Sequence, residues 1–280
     1  MIAEGEIRRL AATWQVDPMV LNLDYSLTWL LAALFAAEGA AACLRFKGGT
    51  CLRKCYFPGY RFSEDLDFTA ASPLAPDGLA GWVAAAVRWS AGRDGPNFAA
   101  APQRFEVVAD EYGQESYQVR LYFRGPLQWE GSPQAIRLDV TRDEQLLLPG
   151  APRAIHHAYS DAPLFAGAQV ACYALLEILA EKVRAVSGQR RFAVSRDLYD
   201  IHNLVQTGLA VDELKRLLPE KFRARGVDLA ALDPSHLAQR RDEYERDWRQ
   251  RLDYLVPNTT AVTFDQAWAT TLDLVTRVQA

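Results

Sequence analysis

Cysteine, histidine and positive charge are all scarce in this chain of 280 residues. The four cysteines, Cys43, Cys51, Cys55 and Cys172, form no CxxC pair, and only four histidines accompany them. Cys51 and Cys55 are spaced to lie one helical turn apart. Two thiols without clustered histidines make a poor zinc set, so the cysteines read as reduced thiols of a cytosolic protein. Basic residues are outnumbered, with 31 Lys and Arg against 35 Asp and Glu and a formal charge of −4. That excludes a generally basic nucleic-acid coat, and any nucleic-acid contact has to come from a local basic face. Long apolar runs are lacking too. Glu38 interrupts the run Leu27–Cys43 before it reaches the about 18 residues of a membrane span, so a buried core helix and no membrane association are expected. Glu4 and Glu6 lie where a secretion signal would carry basic residues, and a cytoplasmic location is expected. The GxxxxGK(S/T) spacing of a Walker loop does not occur, nor does an internal repeat or a low-complexity tract.

Half of the sequence is hydrophobic, enough for one large core or two modest ones. Residues 5–16 have the pattern of a short amphipathic helix, and residues 18–42, rich in Ala and Leu, predict a long one. A short apolar stretch then meets Gly48-Gly49-Thr50. A helix-compatible segment, Cys51–Tyr56, comes next and closes at Pro58-Gly59. Residues 61–69 alternate as a strand, with Phe62, Leu66 and Phe68 apolar. Residues 70–81 and 92–102 read as loops, 79–90 as a helix, and 104–108, 117–123 and 135–140 as strands. Residues 168–187 read as a strong helix, and most of the chain beyond them is helical with charged faces. The Pro- and Gly-containing stretch near 149–163 divides an α/β half, residues 1–150, from a mainly helical half, residues 151–280.

The chemistry centres on Ser63-Glu64-Asp65-Leu66-Asp67. In a strand, positions i and i+2 share a face about 7 Å apart. Two carboxylates so placed can bridge divalent cations, and two-metal phosphoryl chemistry needs carboxylates converging on ions about 4 Å apart. A bare Asp-x-Asp also occurs on solvated strands, but Leu66 and Phe68 anchor the opposite face here. Ser63 falls on the same predicted strand face as Asp65, where it reaches a phosphate or satisfies the preceding turn. Gly48-Gly49-Thr50 is either a cradle for a triphosphate at a helix start or a tight turn with Thr50 as its cap. Asp139, on the alternating run Ile136–Val140, is either solvent-facing or, if its strand neighbours that of Asp65, a third metal carboxylate able to help deprotonate an acceptor hydroxyl. Lys182, on a helix expected over 171–186, is a surface lysine or neutralises phosphate charge. Asp197 and Asp200, at i and i+3, line a helix start or cap it. Arg190, Arg191 and Arg196 form a local basic group. A second one, from Arg240 to Arg251, is interleaved with acids and reads as a solvated helix face.

These segments together resemble the AbiEii/AbiGii toxin family, nucleotidyltransferase-like toxins of bacterial toxin–antitoxin systems. The resemblance rests on four blocks: Phe46–Thr50, Tyr60–Phe68, Glu181–Ala185 and Arg196–Asp200. Order and approximate spacing match over residues 44–204, the second block is the most specific, and beyond about residue 210 only helicity matches. The resemblance implies an α+β, polymerase-beta-type nucleotidyltransferase fold, a mixed sheet with flanking helices, with the helical C-terminal half completing the active site. It places Gly48, Gly49 and Ser63 at the nucleotide phosphates, with Thr50 and Lys182 in the same set. It makes Asp65 and Asp67 ligands of Mg2+ or Mn2+, and Asp139 the third carboxylate by strand context. Lys182 and Asp197 match later motif residues needed for activity. It also implies an NTP substrate, transfer to RNA at the tRNA 3′ acceptor end, blocked translation and a cognate antitoxin partner. Arg190, Arg191 and Arg196 are then the expected RNA contacts. The same site could instead nucleotidylate or phosphorylate a protein or small molecule, or belong to a non-catalytic nucleotide-binding partner protein. Retention of Asp65, Asp67, Lys182 and Asp197 argues against the last.

Overall fold

Asp17 and Pro18 start the apolar helix that the sheet is built on. The Asp17 carboxylate accepts a hydrogen bond from the Met19 amide at 2.7 Å, and proline takes the first turn, where its missing N–H costs nothing. The computed structural model describes residues 1–109, 115–128, 130–257 and 262–279. Helix α1 spans Glu4–Trp14 and α2 spans Pro18–Phe35. By length and composition α2 could cross a membrane, but residues 21–34 are all buried inside the protein. The helix stops at Phe35, short of the predicted residue 42. Gly39, at a φ of +83° that favours glycine, turns the chain into a separate short helix, α3 (Ala40–Cys43).

Seven strands form one mixed sheet: β1 (Leu44–Lys47), β2 (Asp65–Ala70), β3 (Asn97–Ala109), β4 (Glu115–Arg124), β5 (Gln134–Thr141), β6 (Ala151–Ala154) and β7 (Gln169–Cys172). Their spatial order is β3-β4-β5-β2-β1-β7-β6. The pairs β2–β5 and β1–β7 are parallel, and the remaining four are antiparallel. Helix α4 (Gly48–Cys51), continued by a wider turn over Leu52–Tyr56, lies between β1 and β2, and α5 (Pro76–Ala91) lies between β2 and β3. Phe46, Leu66, Phe68, Ile136, Leu138 and Val140 are fully buried on one face of the central strands. On α2, Trp29 meets Phe165 edge-on at a centroid distance of 5.3 Å, a favoured aromatic geometry. The mixed sheet with flanking helices agrees with the expected α+β class.

Several local expectations change. The acidic strand begins at Asp65, so residues 61–64, Ser63 among them, precede it rather than share its face. The predicted loop 92–102 gives way to strand from Asn97, hidden in the sequence by Ala99–Ala101 and Pro102. The expected helix over 168–187 is two elements, because Gln169–Cys172 pairs with β1 and β6 and the helix starts only at Leu175. All four cysteines are free and buried.

The sheet and α1–α5 belong to one unit, Met1–Asp143 with Gly150–Cys172. The second unit takes Glu144–Pro149 and Tyr173–Val256 together with the last helix, so the chain exchanges short segments around the expected boundary at 150. Its helices are α6 (Leu175–Arg184, continued by a wider turn to Gln189), α7 (Ser195–Gln206), α8 (Val211–Arg223), α9 (Pro234–Gln239), α10 (Arg241–Asp247) and α11 (Phe264–Gln279). Inside it the Lys221 ammonium lies 2.7 Å from Glu177, 3.2 Å from Glu181 and 3.3 Å from Glu144, and Arg184 meets Glu144 at 2.9 Å. Glu177 also accepts the Leu147 and Leu148 amides at 2.8 and 3.1 Å. Buried charges persist where partners and hydrogen bonds offset their desolvation, and these fasten the segment 144–149 to α6 and α8.

Candidate active site

The turn from β1 into α4 is shaped by close approach. Gly48 has a φ of +78°, and a Cβ there would overlap the Asp67 carboxylate. Only glycine meets both demands. A Cβ on Gly49 would overlap the guanidinium of Arg61, which is 2 % exposed and fills the space against the turn. Thr50 is not the cap of this helix. Lys47 holds the cap position, and Thr50, buried in the first turn, donates its hydroxyl to the Asp65 carbonyl at 2.5 Å. It ties the turn to the acidic strand. Ser63, also buried, leads into that strand.

Strand register then assembles a polar row that no single segment reveals. Lys47 pairs with Asp67, Asp67 with Asp139, and Asp139 with Gln118, across β1, β2, β5 and β4. In the next row Asp65 lies opposite Arg137. The condition attached to Asp139 is therefore met: its strand is the parallel neighbour of the acidic strand. Gln118 donates to Asp139 Oδ1 at 2.9 Å. Arg137 bridges the carboxylates, with Nη2 2.7 Å from Asp65 Oδ2 and Nε 2.9 Å from Asp139 Oδ2. Burial, reinforced by the nearby Asp67 charge, raises the Asp139 pKa above the ordinary carboxylate value, although Gln118 and Arg137 oppose it. Burial opposes the Arg137 charge, but Asp65, Asp139 and Asp67 outweigh it and raise its pKa.

Three carboxylates on facing positions of adjacent strands are the donor set that a hard divalent cation takes. Among the described residues no group of three His, Cys, Asp or Glu side chains is already spaced around an ion. The donor chemistry fits a divalent ion, and the present arrangement is drawn together around the Arg137 guanidinium. Arg137 and Arg61 were both missed as site residues. An arginine on an alternating strand reads as solvent-facing, and only Arg61's place between Tyr60 and Phe62 signalled burial.

The helical unit holds a second cluster. The Lys182 ammonium lies 2.6 Å from Asp197 Oδ1 and 2.8 Å from Asp200 Oδ2. Both carboxylates are essentially inaccessible, at 1 % and 0 % exposure, and Lys182 is 13 % exposed, so it is not a surface lysine. Asp197 and Asp200 share one face of α7 at i and i+3 and turn it toward α6. Neither caps the helix: Val194 holds the cap position, while the Ser195 amide and hydroxyl both donate to Asp247 at 2.7 Å. Burial pushes the Asp197 pKa up, but Arg190 and Lys182 together bring it below the usual carboxylate value. The expected RNA-binding arginines divide. Arg190 pairs with Asp197 at 2.9 Å, Arg191 lies 5.8 Å from the exposed Phe192 ring, and Arg196 is half-buried. The second basic group is largely paired, Arg240 with Glu243, Arg241 with Glu245 and Asp265, and Arg251 with Asp247, as a solvated helix face would be.

Residues 29–270 match the family described as nucleotidyl transferase AbiEii toxin, type IV TA system. No curated protein matches significantly. Among solved structures, the nucleotidyltransferase toxin MenT4 of Mycobacterium tuberculosis is similar at 20 % identity and a TM-score of 0.58, with 100 % of each chain covered. An H. pylori protein described as a nucleotidyltransferase is similar at 17 % identity and a TM-score of 0.55, covering 94 % of this chain and 96 % of that one. At these identities the likeness establishes a shared fold.

Proposed function

Because the chain belongs to the AbiEii nucleotidyl transferase toxin family of type IV toxin–antitoxin systems, we propose that it moves a nucleoside monophosphate from an NTP to the tRNA 3′ acceptor end, using Mg2+ or Mn2+. In the cytoplasm this would block translation until the antitoxin that such a system implies restrains it. The observation that carries the reading is the register of Asp67 against Asp139, with Asp65 beside them and the bare Gly48 backbone packed on Asp67.

Asp65, Asp67 and Asp139 are the residues that would hold the divalent ion, which when bound supplies charge neutralisation for the triphosphate. Gly48 and Gly49 let the turn pack directly on Asp67 and Arg61, and on the family pattern this turn is where the triphosphate is held. Asp139, in register beside Asp67, is the carboxylate assigned to take the proton from the acceptor hydroxyl as its oxygen attacks the α-phosphorus and pyrophosphate leaves. Lys182 is assigned to triphosphate charge compensation on the family pattern, with Asp197 and Asp200 orienting its ammonium. The test is incubation with each labelled NTP, Mg2+ and total RNA, beside a protein-only control. Label in RNA of tRNA size, falling steeply with added salt as phosphate contacts require, is expected. Label on protein or on a small molecule with none on RNA would replace this reading by one of those acceptors.

A further inference from the structure

Arg137 occupies an unusual place for a structural arginine. Its guanidinium joins two carboxylates on adjacent strands, Asp65 and Asp139, by the Oδ2 oxygen of each. It is nevertheless 42 % exposed, and its partners are 22 % and 26 % exposed. Ion pairs this open contribute little to stability. The strands do not need it, because the β2–β5 ladder runs in register from Asp65–Arg137 to Thr69–Thr141. Lys47 stands opposite Asp67 and Arg120 opposite Arg137, but Arg137 is the cation placed between two of the carboxylates. An arginine keeps its charge at every accessible pH, so titration cannot vacate this place. Displacement can, and the half-exposed side chain has solvent to move into.

We propose that Arg137 is a resident cation that holds Asp65 and Asp139 together until a divalent ion displaces it, and so sets how tightly the site binds metal. This rests on the metal-dependent reading above. A divalent ion brings twice the charge and takes carboxylate oxygens directly, and at Asp139, whose Oδ1 is held by Gln118, it competes with Arg137 for Oδ2. Gln118 keeps Asp139 in place throughout by its bond to the other oxygen.

The experiment is direct Mn2+ binding to the purified full chain, read from the loss of the free-ion magnetic resonance signal, without nucleotide or RNA. Arg137→Gln should bind Mn2+ roughly tenfold more tightly than the unaltered protein, since it removes a competing charge at contact distance. Arg137→Lys keeps the charge but loses the two-pronged hold, and should bind about threefold more tightly. It is also the variant to use if the glutamine form folds poorly. Asp139→Asn should weaken binding, which locates the ion. Mn2+ binding equal to or weaker than that of the unaltered protein in both Arg137 variants overturns the displacement idea alone. No Mn2+ binding by any form overturns the metal-dependent reading and this inference with it.

Discussion

The two candidate-site clusters in which carboxylates share a cation lie in contrasting surroundings. On the sheet, Asp65 and Asp139 share Arg137 in a patch that solvent partly reaches. In the helical unit, Asp197 and Asp200 share Lys182 where almost no solvent reaches. An exposed pair can exchange its cation at little cost, whereas a buried pair that loses its cation keeps an uncompensated charge in a low dielectric. The open patch suits groups that bind and release ions. The closed cluster suits a lysine held in one orientation.

The sharpest way to break this comparison is to remove charge on the open side and measure activity apart from stability. Asp67→Asn should lower the initial rate of nucleotide transfer at least about thousandfold, roughly 4 kcal/mol of transition-state stabilisation. Its melting temperature should stay within about 2 °C, since the side chain is half-exposed and the strand is anchored by Leu66 and Phe68. A near-normal rate would remove Asp67 from the chemistry.

On the closed side the effect should move to stability. Lys182→Met takes the shared ammonium from two buried carboxylates, with Arg190 still on Asp197. Urea unfolding should register a loss of about 3 kcal/mol, against less than about 1 kcal/mol for Asp65→Asn. Equal losses in the two variants would show that burial does not separate the clusters.

The same contrast explains what could be read from the sequence. The acidic strand was legible because period-two alternation is local: Leu66 and Phe68 inward fixes Asp65 and Asp67 outward. The motif order from Gly48 to Asp200 was legible too, and with it the family. The meeting of Asp67 and Asp139 was not, because it depends on the parallel pairing of strands about seventy positions apart, which no window of sequence contains. The partner of the Thr50 hydroxyl was hidden for a related reason. The hydroxyl is spent on the Asp65 carbonyl, a contact created by folding the turn back onto the strand. Strand β7 was lost in an apolar run that continues into α6, where helix and buried strand look alike until pairing decides.

The smallest expected effect tests the comparison by its sign. The Asp197 pKa is lowered in the folded protein, below the ordinary 3.8, because Arg190 and Lys182 overcome its burial. Its stabilising contribution is therefore fully present above about pH 4 and lost as the pH falls through the lowered value. The Asp139 pKa is raised, because burial and Asp67 outweigh Gln118 and Arg137. Folding favours its protonated form, so its contribution is present below the ordinary value and lost as the pH rises through the raised one. Asparagine mimics the protonated state at each position. At neutral pH Asp197→Asn should be less stable than the unaltered protein, and Asp139→Asn slightly more stable, by less than about 1 kcal/mol. Both differences should shrink as urea titrations are carried from about pH 7 toward about pH 3, one from below and the other from above. Differences of the same sign in the two variants would mean that the open and closed carboxylates meet the same electrostatic environment, and the distinction drawn between them would fail.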